Sequence, residues 1–251
     1  NLPIEFSWSV NSSIDSEYDF DLYLGPRNLD GQTDTQGVNE IYYYDGFLWL
    51  AEKDGNRIGK IDLQTYQYST FATHNSYLLN VLDLTIDSSG NVYTLSRSQN
   101  LYSDTTIACK WYPNGERSDC NTSDLSYGVA ISHYQDEIFV LQGGSTSDSE
   151  RVVVTLDAGN MTVSGSLNYG ESVSSFYYAN NIILDQSTGN FLISYRNAAG
   201  LVREYLRDTD GSYSSSIYEQ IETNASYGSS LEIKDDYFYV TGYYSPSEEF
   251  G

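Results

Sequence analysis

Apolar and polar positions alternate along this chain in short runs, and turns bearing glycine and aspartate cut the runs apart. Within 38–63 three such runs, at 41–44, 47–51 and 58–61, are separated by Asp45-Gly46 and by Asp54-Gly55-Asn56. Runs of this length predict strands, and an Asp-Gly pair between two of them supplies the positive φ that a two-residue hairpin turn requires. The stretch therefore predicts a small antiparallel meander.

The hairpin recurs. Predicted inner hairpins lie near 40–52, 82–96, 128–142, 176–195 and 229–243, and the residues that precede their second strands, Gly46, Gly90, Asp136, Gly189 and Asp236, are 44, 46, 53 and 47 positions apart. A repeat of about 40 to 50 residues with a turn inside it is the length of a four-stranded propeller blade. One blade cannot bury both its faces alone, so neighbours must stack around an axis. The fold class predicted is all-β: a β-propeller of four-stranded antiparallel blades, five or six in number, forming one domain over 1–251. Segments 2–10 and 18–25 each predict a strand but carry no hairpin of the repeat type. Pairing them with the last hairpin would close a five-bladed ring and remove two exposed edges; if they open a blade of their own, the count is six. The chain begins on Asn1 and stops just after an inner hairpin, which predicts a piece of a longer precursor.

The run Ala51-Glu-Lys-Asp-Gly-Asn-Arg-Ile-Gly-Lys-Ile-Asp62 resembles the NHL repeat, and Tyr239-Val-Thr-Gly-Tyr243 is similar to the last strand of a bacterial propeller repeat. The resemblance implies the propeller fold and brings no catalytic residue with it.

Charge narrows the partners. Twelve Lys and Arg stand against 35 Asp and Glu, a formal net charge of −23. Such a surface repels nucleic-acid phosphates and anionic lipid, so neither is an expected partner, and no apolar run reaches the ~20 residues of a membrane span. Cys109 and Cys120 flank a segment with the turn signal Pro113-Asn114-Gly115, which predicts a disulfide across an outer hairpin. Four sequons, at Asn11, Asn121, Asn160 and Asn224, are compatible with N-glycosylation. Together with the disulfide they predict an extracellular or cell-surface protein.

Candidates for chemistry are few. His74 and His133, the two histidines, stand in no pattern with a serine or cysteine, and both read as structural. No catalytic residue is predicted. Calcium is the one cofactor the chain suggests: Asp208-Thr-Asp210-Gly211 matches the start of an oxygen-rich loop, and Asp19 and Asp21 fall in an acidic cluster at 15–21. Neither carries the complete twelve-residue loop with its closing glutamate, and Asp-x-Asp-Gly is also a good hairpin turn. The 25 tyrosines suit strands packed between blades, while those at blade rims would suit protein or glycan partners. The expected function is a secreted, glycosylated, non-catalytic interaction or structural module, capable of self-assembly in a surface structure. The alternatives are a carbohydrate-binding lectin, and a calcium-dependent hydrolase or lactonase of propeller type with Glu, Asn and Asp side chains converging at the axis.

Overall fold

The computed structural model describes residues 8–10, 18–20, 37–53, 55–98, 105–143, 152–168, 178–196, 201–213, 219–222, 227–234 and 237–243. Two short strands, β1 (Trp8–Val10) and β2 (Tyr18–Phe20), pair with each other. The first full sheet follows as β3 (Val38–Tyr44), β4 (Phe47–Glu52), β5 (Arg57–Asp62) and β6 (Tyr68–Thr73). The second is β7 (Val81–Ile86), β8 (Val92–Arg97), β9 (Thr106–Trp111) and β10 (Arg117–Asn121). The third holds β11 (Gly128–Tyr134), β12 (Glu137–Gln142), β13 (Val152–Asp157) and β14 (Val163–Asn168). The fourth holds β15 (Tyr178–Leu184), β16 (Phe191–Arg196), β17 (Leu201–Tyr205) and β18 (Glu219–Glu222). A last hairpin pairs β19 (Tyr227–Lys234) with β20 (Tyr237–Tyr243).

Each full sheet is an antiparallel meander in sequence order, and β3, β7, β11, β15 and β19 are successive neighbours at its inner edge. This is a β-propeller. The predicted turn chemistry is present: Asp45 and Gly46 have φ of 48° and 79°, and Gly90 and Gly189 sit at 80° and 78°. Outer turns repeat as well. Asp62 accepts from the backbone N–H of Gln64 and Thr65, Asp157 accepts from those of Gly159 and Asn160, and the next turn positions, Tyr66 and Met161, both have positive φ.

The cores lie between blades rather than within them. Trp49, Ala51 and Ile58 of the first blade pack on Leu84, Val92 and Trp111 of the second. Tyr93 and Leu95 of the second meet Ile131, Ile138 and Val140 of the third, whose opposite face carries Phe139 and Leu141 against Phe191, Ile193 and Tyr195 of the fourth. Leu192 and Val202 then reach Leu231 of the last hairpin. A strand such as β12 is buried on both faces, which is why it reads as the continuous apolar run Ile-Phe-Val-Leu rather than as an alternation.

Blade count departs from the expectation of five or six. Among the described residues four blades are complete, and the fifth repeat contributes an inner hairpin. The expected closure, in which the N-terminal pair joins the last hairpin, is not among the described residues: β1–β2 and β19–β20 are each two-stranded sheets on their own. The spacing counted inner hairpins, and a hairpin signal carries no information on whether outer strands complete it.

Candidate functional site at the axis

The inner strands share a defect. Ladder register slips by one residue near the start of all five, leaving Asn39, Leu82, Val129, Asn180 and Ser229 as the extra positions. A bulge turns the side chains beside it away from the regular pleat, and it is a common device next to binding sites. Innermost strands also carry backbone edges that no neighbouring strand pairs, so side chains at the bulge are available to satisfy them. Asp83 does this: its two oxygens accept from Leu84 N–H and, across the blade boundary, from Ile131 N–H, both at 2.7 Å.

Where these strands begin, a cavity of about 260 Å³ opens, lined by the polar residues Asn39, Glu40, Asp83, Arg97, Asn180 and Asn181 and by apolar Leu82, Val129 and Ala130. Asn39 Nδ2 donates to Val81 O at 2.6 Å and to Asn80 Oδ1 at 3.3 Å, which fixes the carboxamide on the second blade and leaves its Oδ1 as an acceptor. Asp83 is buried, and that burial, with the charge of Glu40 added, holds its carboxyl well above the usual carboxylate range despite the two backbone donors. Asn181 is 9% exposed and lines the same cavity. Arg97, at the end of β8, is exposed and forms no ion pair among the described residues. The cavity thus gathers two carboxyls, three carboxamides and one guanidinium in one small volume.

The residues singled out from sequence lie elsewhere. Cys109 and Cys120 face each other across β9 and β10 and form the disulfide, Cα to Cα 4.1 Å. Asp208 and Asp210 are exposed on the turn 208–212, where Asp210 Oδ1 accepts from the backbone and hydroxyl of Ser212. These bonds are those of a turn, and among the described residues no group of three or more His, Cys, Asp or Glu is placed to hold a metal ion. Asp21 and the side chain of Asp19 lie outside the described residues, as do Asn11 and Asn224. Asn160 is exposed and its Oδ1 accepts from the Thr162 hydroxyl, whereas Asn121 is buried and its Nδ2 donates to Asp124 and to Met161 O. A glycan on Asn121 would replace one of those donor hydrogens and has no open space. His133, buried, shares a 2.8 Å bond with the Thr85 hydroxyl between inner strands, and burial pushes its imidazole down. His74 Nδ1 caps the turn at Ser76 and Tyr77. Exposed rim tyrosines are Tyr43, Tyr66 and Tyr112, while Tyr93, Tyr195 and Tyr205 are core.

Sequence reasoning missed the axial residues. The signal was available in three repeats: Asn39-Glu40, Asp83 and Asn180-Asn181 stand a few positions before the hairpin turn, polar side chains at the entry of largely apolar strands.

The fold places this chain among the β-propeller proteins, and solved structures agree. It is similar to regucalcin, a calcium-binding protein from Agrobacterium tumefaciens, at 15% identity over 83% of this chain and 68% of that one, TM-score 0.59. It is also similar to a chain of a mitotic checkpoint complex (9%, 82% and 58%, TM-score 0.60) and to a protein from Lactobacillus plantarum (12%, 74% and 57%, TM-score 0.54). The chain spans a little over half of these last two. Likeness at this level is a likeness of fold alone. No protein-family model and no curated protein matches the sequence, and no helix among the described residues is long and apolar enough to cross a membrane.

Proposed function

We propose that this propeller is a non-catalytic binding and interaction module of a secreted glycoprotein, taking its ligand or partner on the face where the inner strands begin. One observation carries the reading: the axial cavity with bulged strand entries, whose lining offers fixed acceptors, carboxyls and a guanidinium. The disulfide and the exposed sequon at Asn160 support the extracellular compartment, and the rim tyrosines support protein or glycan partners, including further copies of this chain. The test is glycopeptide mass spectrometry on protein secreted from a eukaryotic host, with and without glycosidase. A glycan on Asn160 is expected, and Asn121 should stay bare. A bare Asn160 and intracellular retention would overturn the compartment.

The second reading is the calcium-dependent hydrolase. It is favoured by the meeting of Glu40, Asp83 and the carboxamides of Asn39, Asn180 and Asn181 at the axis, since oxygen donors of this kind suit a hard divalent cation. Those residues would hold the ion, which would polarise an ester carbonyl there. Calcium titration by calorimetry, followed by assay on simple lactones, separates the readings: calcium binding lost in Glu40→Gln, with turnover, selects the hydrolase.

A further inference from the structure

His133 is the buried one of the two histidines, and it stands near the end of β11 where three blades meet. Toward the second blade its Nδ1 lies 2.8 Å from the Thr85 hydroxyl of β7; toward the fourth its backbone carbonyl accepts from Gln186 Nε2 at 2.7 Å, from the turn after β15. Two positions back along the same pair of strands, Asp83 accepts from Ile131 N–H. Both ties hold the seam between β7 and β11. The entries of those strands, Leu82 and Asp83 on one side and Gly128, Val129 and Ala130 on the other, line the axial cavity. The surroundings of the ring decide what a proton does there. Neutral imidazole offers one donor and one acceptor nitrogen, and imidazolium offers two donors. Around His133, β7 brings the Thr85 hydroxyl, β12 brings apolar Ile138 directly opposite, and the turn after β15 brings a carboxamide already spent on the main chain. The charge that acts on the ring is that of Asp87, just past β7, whose two oxygens accept from the N–H groups of Ser89 and Asn91, the Asn91 carboxamide and the Tyr93 hydroxyl. An imidazolium would be buried here with no carboxylate bonded to it. Burial outweighs the pull of Asp87 and holds the ring below its ordinary 6.5.

We propose that His133 is an acid-operated latch on the axial cavity: protonation of the ring opens the seam between β7 and β11 and loosens the wall that the second and third blades give to the cavity. The sign follows from linkage. An opened seam returns the ring to water, where it takes up a proton at the ordinary value. The closed seam therefore loses stability as pH falls below 6.5, and goes on losing it down to the lower value of the closed state. Asp83, held high, works in the opposite sense on the same seam, so the response is read against a variant that lacks only the imidazole. The latch rests on the binding-module reading and gives that module its release.

The test is hydrogen exchange read by mass spectrometry on the whole 251-residue chain, from about pH 7.5 down to about pH 5, with protection corrected for the intrinsic pH dependence of amide exchange. Protection of β7 and β11 is expected to fall once pH drops below 6.5, by up to about tenfold per pH unit, the limit for uptake of one proton. Strands β13 and β17 should keep theirs. In His133→Gln, whose carboxamide still offers Thr85 a partner and takes up no proton, the fall should vanish, and His74→Gln should leave it in place. Imidazole titration of the parent by nuclear magnetic resonance, with the two ring signals told apart by His74→Gln, decides the matter even if His133→Gln fails to fold. A His133 ring that titrates at or above 6.5 overturns the proposal, as does a fall that persists in His133→Gln or a loss of protection spread evenly over all blades. Each of these outcomes leaves the binding reading standing, because no ligand enters the experiment.

Discussion

Gly59 sits where β5 crosses the buried Glu52. A Cβ there would collide with Glu52 Oε1 and come within 2.6 Å of the Tyr68 ring, and neither can retreat, because Glu52 is held by Arg57 and by the Tyr68 hydroxyl. Gly59→Ala is expected to lower stability by about 1 to 3 kcal/mol, the range for overpacking, read as a reduced midpoint in urea. Asp83 makes a second case at this scale. Its folded-state carboxyl titrates above the ordinary value of 3.8, so the folded chain binds that proton more tightly than the unfolded one. Its contribution is therefore greatest below the ordinary value and falls as pH rises through the window up to the folded one. Asp62, Asp87, Asp185 and Asp210 are held low and act in the opposite sense at more acid pH, where their stabilisation is lost as pH falls. Unfolding free energy measured from pH 4 upward should decline less steeply in Asp83→Asn than in the parent, whatever the absolute stability of the variant; equal slopes would count against the buried carboxyl.

Elements add constraints that single residues lack. The disulfide joins directly opposed positions of β9 and the outermost strand β10, closing a loop over a sequence separation of 11. Cys109→Ser with Cys120→Ser should cost about 2 to 3 kcal/mol, chiefly through the freer unfolded chain, and hydrogen exchange should show the loss spreading from β9–β10 into the Trp111 side of the first interblade core. An unchanged melting temperature would mean that pairing of the two strands alone sets their position.

At the scale of the whole molecule, a net charge of −23 on 251 residues repels itself in the compact state. Raising sodium chloride from about 10 mM to about 300 mM shortens the screening length from roughly 30 Å to under 10 Å, so the melting temperature should rise by several degrees. A flat response would point to clusters of acid already offset by local cations, as Glu137 is by Arg207.

Strand identity, turn type, repeat length and the cysteine pair were legible in the sequence, because each depends on residues close along the chain: Asp45-Gly46 can only turn, and Cys109 and Cys120 flank one hairpin. The axial site was not legible. Asn39, Asp83 and Asn181 lie in three different repeats, and which polar residue becomes a blade-to-blade tie, like Asp83 on Ile131 N–H, and which lines the cavity, like Asn181, depends on the side chains that packing brings beside it. Sequon exposure followed the same division, since Asn121 and Asn160 look alike in sequence and differ in burial. Local chemistry determined the blades; only their stacking around the axis decided what faces the centre, because that is a matter of contacts between repeats some 40 to 50 residues apart.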